Sequence, residues 1–98
     1  MELYRLVYAD SQVQKNFVKA LEKAPRADKE LILKKLEALE ANPKPQQFKI
    51  LAQPVFIHGY WAPYRLRIGS YRVLYDIDDS QKKVIILALR RRTKKTYK

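Results

Sequence analysis

From Leu3 to Tyr8 the chain alternates, with Leu3, Arg5 and Val7 opposed to Tyr4, Leu6 and Tyr8. Alternation over aromatic and branched residues predicts a strand. Asp10 or Ser11 then offers a helix N-cap, and Ser11 with Gln14 has the spacing of a capping box. Val13, Phe17, Ala20, Leu21 and Ala24 follow at helical intervals, with Lys15, Lys19 and Lys23 turned away. Pro25 separates this helix from a second, roughly Ala27 to Ala41, whose apolar stripe is Ile32, Leu36 and Leu39, broadened by Leu31 and Leu33. Asn42-Pro43-Lys44-Pro45 stops it, because proline neither donates an amide nor tolerates a helical residue before it.

The second half reads as sheet. Phe48 to Leu51 is a candidate strand, and Pro54 to Pro63, which contains His58, Gly59, Tyr60 and Trp61, reads as an irregular aromatic loop. Tyr64 to Ile68, Tyr71 to Ile77 and Val84 to Leu89 are strands, with Asp78-Asp79-Ser80-Gln81 as the turn before the last. Two short helices joined by a few residues form an antiparallel hairpin, and neither buries its stripe without a flat partner. The prediction is an α+β fold: an N-terminal strand, then an antiparallel helical hairpin packed on a small, antiparallel-dominated sheet. The order is β-α-α-β-β-β in one domain, 1–98.

Ile68-Gly69-Ser70-Tyr71 has the form of a two-residue hairpin with Gly at the first central position, as a type II′ turn requires. That turn fixes a register: Arg67 opposite Arg72, Leu66 opposite Val73, Arg65 opposite Leu74, Tyr64 opposite Tyr75. One face is then Tyr64, Leu66, Ile68, Tyr71, Val73 and Tyr75, which belongs beneath the helices. The other carries Arg65, Arg67 and Arg72. Like charges placed opposite one another destabilise a sheet, so this face is suited to an anion. Arginine grips phosphate oxygens two at a time with its planar fork.

Charge sharpens that reading. The chain has 98 residues and a net charge of +11; residues 1–49 carry ten Lys/Arg against seven Asp/Glu, and residues 50–98 carry eleven against three. Six of the last nine residues are basic: Arg90, Arg91, Arg92, Lys94, Lys95 and Lys98, with Tyr97 among them. A basic run attached to a buried strand, beside an arginine hairpin, points to a polyanion and above all to nucleic acid. With no cysteine and one histidine, no metal site is expected. Two glycines leave no phosphate loop, so no nucleotide cofactor is expected either. The N-terminal stretch has neither the length nor the apolarity of a signal peptide or membrane span, which places the expected location in the cytoplasm, away from membranes.

The stretch Tyr64-Arg65-Leu66-Arg67-Ile68-Gly69-Ser70-Tyr71-Arg72-Val73-Leu74-Tyr75-Asp76-Ile77-Asp78 resembles the signature hairpin of the RelE/ParE toxin superfamily. The ending Arg90 to Lys98 fits that family's basic terminus, which closes on a tyrosine. The resemblance implies a toxin of a type II toxin–antitoxin pair, held inactive by a cognate RelB-like antitoxin. RelE-like members cleave mRNA in the ribosomal A site without a metal, through attack of a 2′-hydroxyl on the adjacent phosphate. On this sequence the catalytic roles fall to Arg65, Arg67, Arg72, Arg91 or Arg92, and Tyr97, with Arg90, Lys94, Lys95, Lys98 and Trp61 as RNA contacts. Arginine stays protonated at ordinary pH, so the proton acceptor is Tyr97, with its pKa lowered by the surrounding cations, or a ribosomal group.

Two other functions use the same cations: a ParE-like toxin that blocks DNA gyrase without a nuclease site, and a non-catalytic RNA- or ribosome-binding module. His58 is the other acid–base candidate, although a lone histidine in a loop is usually incidental. Trp61 and Tyr60 have the chemistry to stack on bases, but are better suited to cover a sheet edge or anchor an antitoxin. Glu37 and Glu40 are surface charges on the second helix.

Overall fold

The computed structural model describes residues 3–91. The element order is β1 (Arg5–Tyr8), α1 (Ser11–Glu22), α2 (Arg26–Leu39), β2 (Phe48–Ile57), β3 (Tyr60–Ile68), β4 (Tyr71–Asp78) and β5 (Lys83–Arg91). The five strands form one mixed sheet in the order β1-β5-β4-β3-β2. Only the β1–β5 pair is parallel; the other three pairs are antiparallel. This is the α+β arrangement the alternation and helical spacing predict, with the first strand delivered beside the last.

Asp10 caps α1 by accepting a 2.8 Å hydrogen bond from the Val13 amide, so Asp10 rather than Ser11 is the cap residue. Val13 and Phe17 are buried from α1, and Ile32, Leu36 and Leu39 from α2. Leu31 and Leu33, expected to broaden the second stripe, are exposed instead. Three buried positions spaced along α2 already cover its contact with the sheet, and Leu31 and Leu33 flank Ile32 at roughly 100° to either side. Phe17, Ile32, Leu36 and Leu39 pack with Leu66, Ile68, Tyr71, Val73, Tyr75, Val84, Ile86 and Leu89 in the main core. The Tyr75 hydroxyl, deep in that core, donates to the Pro43 carbonyl at 2.8 Å.

The β3–β4 register is Tyr64↔Tyr75, Arg65↔Leu74, Leu66↔Val73, Arg67↔Arg72 and Ile68↔Tyr71, as the Gly69-Ser70 turn predicts. Gly69 has φ +57°, and Ser70 is not among the residues of positive φ, which is the type II′ pattern.

Pro54 to Pro63 is not a loop. It forms the outer part of the β2–β3 hairpin, closed by His58 (φ +47°) and Gly59 (φ +90°) as a two-residue turn with both central residues left-handed. Both prolines fall where the register breaks between the Ile50↔Tyr64 and Val55↔Ala62 pairs, so neither interrupts a regular ladder. The hairpin bends there. Its tip residues Ile57 and Ala62 pack on Leu74 and Leu87, with Ala9, Val55, Tyr60 and Ala88 around them. Leu74 pairs with Arg65, so the tip lies over the face of the sheet that the helices leave open.

Candidate nucleic-acid interface

Directly paired residues share a face of a sheet. Arg67 pairs with Arg72 across β3 and β4, and Arg72 pairs with Arg90 across β4 and β5. One step along the strands, Lys49 of β2 pairs with Arg65, and Arg65 with Leu74. Two rows therefore cross the open face: Arg67–Arg72–Arg90, and beside it Lys49–Arg65–Leu74. With strands about 4.8 Å apart, the first row spans about 10 Å.

Arg90 joins the row because β5 carries one surplus residue. Leu74 pairs with Ala88 but Tyr75 pairs with Ile86, which leaves Leu87 as a bulge. Strict alternation from Val84 and Ile86 would turn Ala88 and Arg90 toward the helices. The bulge shifts the phase by one, so Leu89 enters the core and Arg90 faces out with Arg72. Arg91 pairs with core-facing Tyr71, on the opposite side of β5 from Arg72.

Arg65 and Arg72 are half-buried, while Arg67 and Arg90 are exposed. The Arg72 Nε is buried and donates to no hydrogen-bond partner among the described residues. A shielded donor without an acceptor costs about 1–3 kcal/mol, and an anion seated on the row would relieve it. At the β2 end the row opens on a cavity of about 320 Å³ lined by Gln46, Gln47, Phe48, Lys49, Arg65 and Arg67.

The bent hairpin walls the other side of the rows and is latched to α1. The Tyr60 hydroxyl donates to Asp10 Oδ2 at 2.9 Å, and the Asn16 side-chain amide donates to His58 Nε2 at 3.0 Å. The Val13 amide, followed by Tyr60, holds the Asp10 carboxyl below the usual carboxylate value, and the same Asp10 contact raises the Tyr60 phenol. Trp61 points the other way. It makes an edge contact with Phe56 at 4.9 Å between ring centroids on the outside of the hairpin, 60% exposed and apart from the arginine rows.

Of the residues the sequence singles out, Arg65, Arg67, Arg72 and Arg90 come together. Arg92, Lys94, Lys95, Tyr97 and Lys98 lie outside the described residues. Among the described residues no cluster of three or more His, Cys, Asp or Glu is placed to hold a metal ion, and no helix is long and apolar enough to cross a membrane. Sequence reasoning missed Lys49. Its alternation with Phe48 puts it on the polar face, but only strand pairing sets it opposite Arg65.

Residues 2–95 match the family model described as ParE toxin of type II toxin-antitoxin system, parDE. The chain belongs to this family. It is a toxin of a type II toxin–antitoxin system in the RelE/ParE superfamily. No curated protein matches the toxin's sequence. Among solved structures it is similar to the archaeal RelE–RelB complex of Pyrococcus horikoshii OT3, with 29% identity over 94% of the toxin and 98% of that chain and a TM-score of 0.71. It shares its fold with the toxin–antitoxin complex RelBE2 of Mycobacterium tuberculosis (22% identity, 94% of each chain, TM-score 0.64). A mutant of the E. coli toxin RelE in the free state has the same fold (19% identity, 96% of the toxin, 87% of that chain, TM-score 0.59).

Proposed function

We propose that this toxin is a ribosome-dependent mRNA endoribonuclease. The observation that carries the reading is the Arg67–Arg72–Arg90 row, flanked by Lys49 and Arg65, on the sheet face the helices leave free. Phosphoryl transfer needs a positioned phosphate and fixed positive charge around its equatorial oxygens more than it needs a covalent partner. A rigid sheet supplies both.

In the proposed reaction the ribose 2′-oxygen forms a bond to phosphorus and the bond from phosphorus to the 5′-oxygen breaks. The products are a 2′,3′-cyclic phosphate and a 5′-hydroxyl. The half-buried Arg72, with its unfilled Nε donor, holds the scissile phosphate, and Arg65, Arg67 and Arg90 spread the developing charge. The 2′-hydroxyl proton goes to Tyr97 or to a ribosomal group, and the 5′-oxygen takes up a proton as it leaves. The C-terminal cations Arg91, Arg92, Lys94, Lys95 and Lys98 add attraction for the ribosome and its mRNA.

The neighbours of known structure include toxins in complex with RelB antitoxins, which supports a cognate antitoxin here. An acidic segment fits this surface, its carboxylates meeting the arginine rows; the exposed Leu31 and Leu33 of α2, on the opposite side of the sheet, offer apolar anchors to a separate stretch of the same antitoxin.

The family model's ParE description favours a second reading, a gyrase-blocking toxin without nuclease activity. Primer-extension mapping of mRNA in a translation reaction, with and without ribosomes, separates the two. The expected result is ribosome-dependent cuts that fade in Tyr97→Phe and Arg72→Ala. Intact mRNA beside folded protein that inhibits gyrase supercoiling supports the second reading instead.

A further inference from the structure

We infer that the cavity between α1, the outer half of β5 and the β2–β3 tip is a nucleobase subsite, which takes the base next to the phosphate held by Arg72 and Arg90. The inference rests on the reading that the arginine face binds RNA. The cavity has a volume of about 190 Å³ and is lined by Asn16, Phe17, Ile57, His58, the Leu87–Leu89 segment and Arg90. Pockets for drug-sized ligands run to about 300–1,000 Å³, so this one suits a single flat ring system.

Its chemistry is that of a base site. Buried Phe17, Ile57, Leu87 and Leu89 supply apolar walls, and Asn16, His58 and Arg90 supply polar groups. A heterocycle with two apolar faces and a polar edge matches that division.

Strand pairing adds a second set of readers. β1 pairs with β5 only from Lys83 to Ile86, and the Ala9 amide makes the next bond, to the Ile86 carbonyl at 3.3 Å. Beyond Ile86, β5 has no neighbouring strand on that side among the described residues. The main chain of Leu87 to Arg90 thus lines the cavity as a strand edge, with donors and acceptors suited to a base edge.

Arg90 decides the occupant. It lines the cavity and also stands opposite Arg72 in the cationic row, so one residue joins the phosphate surface to the apolar slot. In a nucleotide the phosphate and base are likewise a ribose apart. An RNA crossing the sheet with its phosphate on the row would bring an adjoining base to this opening. The His58–Asn16 hydrogen bond then holds the hairpin tip as the cavity's roof.

Amide-resolved NMR titration of the full chain tests this with trinucleotides of A, C, G and U blocked against cleavage by 2′-O-methyl groups, and with the same sugar–phosphate chain lacking bases. The expected result is that base-bearing ligands shift the amides of Asn16, His58 and Ala88, which line the cavity and lie outside the phosphate row. Affinities should differ between the best and worst base by at least about fivefold, the lower end of what one bidentate base contact gives. The baseless chain should shift Arg67, Arg72 and Arg90 but not Asn16, His58 or Ala88.

Asn16→Ala and His58→Gly should flatten the base preference and leave the salt dependence unchanged; glycine accepts the positive φ at residue 58. Equal affinities for all four bases, or shifts of Asn16, His58 and Ala88 from the baseless chain, would overturn the subsite while leaving the phosphate row intact. Cavity shifts with an acidic peptide but with none of the oligonucleotides would overturn it too. No response to RNA anywhere on the arginine face would remove the RNA reading itself.

Discussion

Arg90 stands directly across from Arg72 on the neighbouring strand, and the bulge at Leu87 is what puts it there. Arg72 in turn faces Arg67, so three guanidinium-bearing residues stand abreast with no acidic residue in their row. Such a row works against the stability of the free protein. Its use is as a phosphate surface, where the repulsion is exchanged for charge-assisted hydrogen bonds.

Arg72→Ala and Arg90→Ala should therefore each leave the fold intact and raise Tm slightly at low salt, with the difference shrinking at high salt as screening takes over. Each should also reduce the slope of log K against log salt for single-stranded RNA by about 0.7, the contribution of one phosphate contact. Thermal melts and anisotropy titrations at several salt concentrations read both effects. A melting temperature that falls for either variant would mean that the row stabilises the free toxin.

Leu66 is almost fully buried beneath the helices, directly opposite Val73, while Arg65 and Arg67 on either side of it face out. Leu66→Ala should destabilise by about 2–5 kcal/mol in urea unfolding, the range for buried leucine truncation. Toxicity lost in this variant would track the folded fraction, unlike the loss in Arg72→Ala.

Gly69 is left-handed at φ +57°, and a Cβ added there meets nothing within 4 Å. The cost of Gly69→Ala is therefore conformational, about 1–2 kcal/mol. Gly69→Asn should recover little of that loss, because the first position of a type II′ turn joins a positive φ to a strongly negative ψ, outside the αL region that asparagine tolerates. Chemical denaturation of the pair measures it.

Asp10 joins the N-cap of α1 to the hairpin latch, and the Val13 amide followed by the Tyr60 hydroxyl holds its carboxyl below the ordinary value of 3.8. A carboxyl depressed in the folded state contributes stability above its unfolded value, and that stability is lost as pH falls through the folded one. Asp78 is depressed in the same direction, first by the Ser80 hydroxyl and then by the Gln81 amide. Acid melts should thus show stability declining below about pH 4. Asp10→Asn, which keeps a capping side chain, should make that decline shallower, and Asp10→Ala should also lower stability at neutral pH. A decline unchanged in Asp10→Asn would assign the acid sensitivity elsewhere.

Much of this protein is decided locally. The 3.6-residue spacing of Val13, Phe17, Ile32, Leu36 and Leu39 selects the helix faces that are buried. Gly69 fixes a turn type, and a two-residue turn with period-2 side chains then dictates that Arg65, Arg67 and Arg72 share one face. Those arguments need only neighbours in the chain, and the structure agrees with each.

What the tertiary structure decided depends on pairing between distant segments. Lys49 joins the site because β2 pairs with β3. Pro54 and Pro63 suggest a loop, yet their missing amides fall together at a register break, so the hairpin continues past them and bends over the sheet. The Leu87 bulge inverts the phase of β5, which sends Arg90 rather than Arg91 to stand beside Arg72. A one-residue bulge leaves almost no trace in a run such as Val-Ile-Ile-Leu-Ala-Leu, where both faces are apolar and the alternation that would reveal the slip is absent.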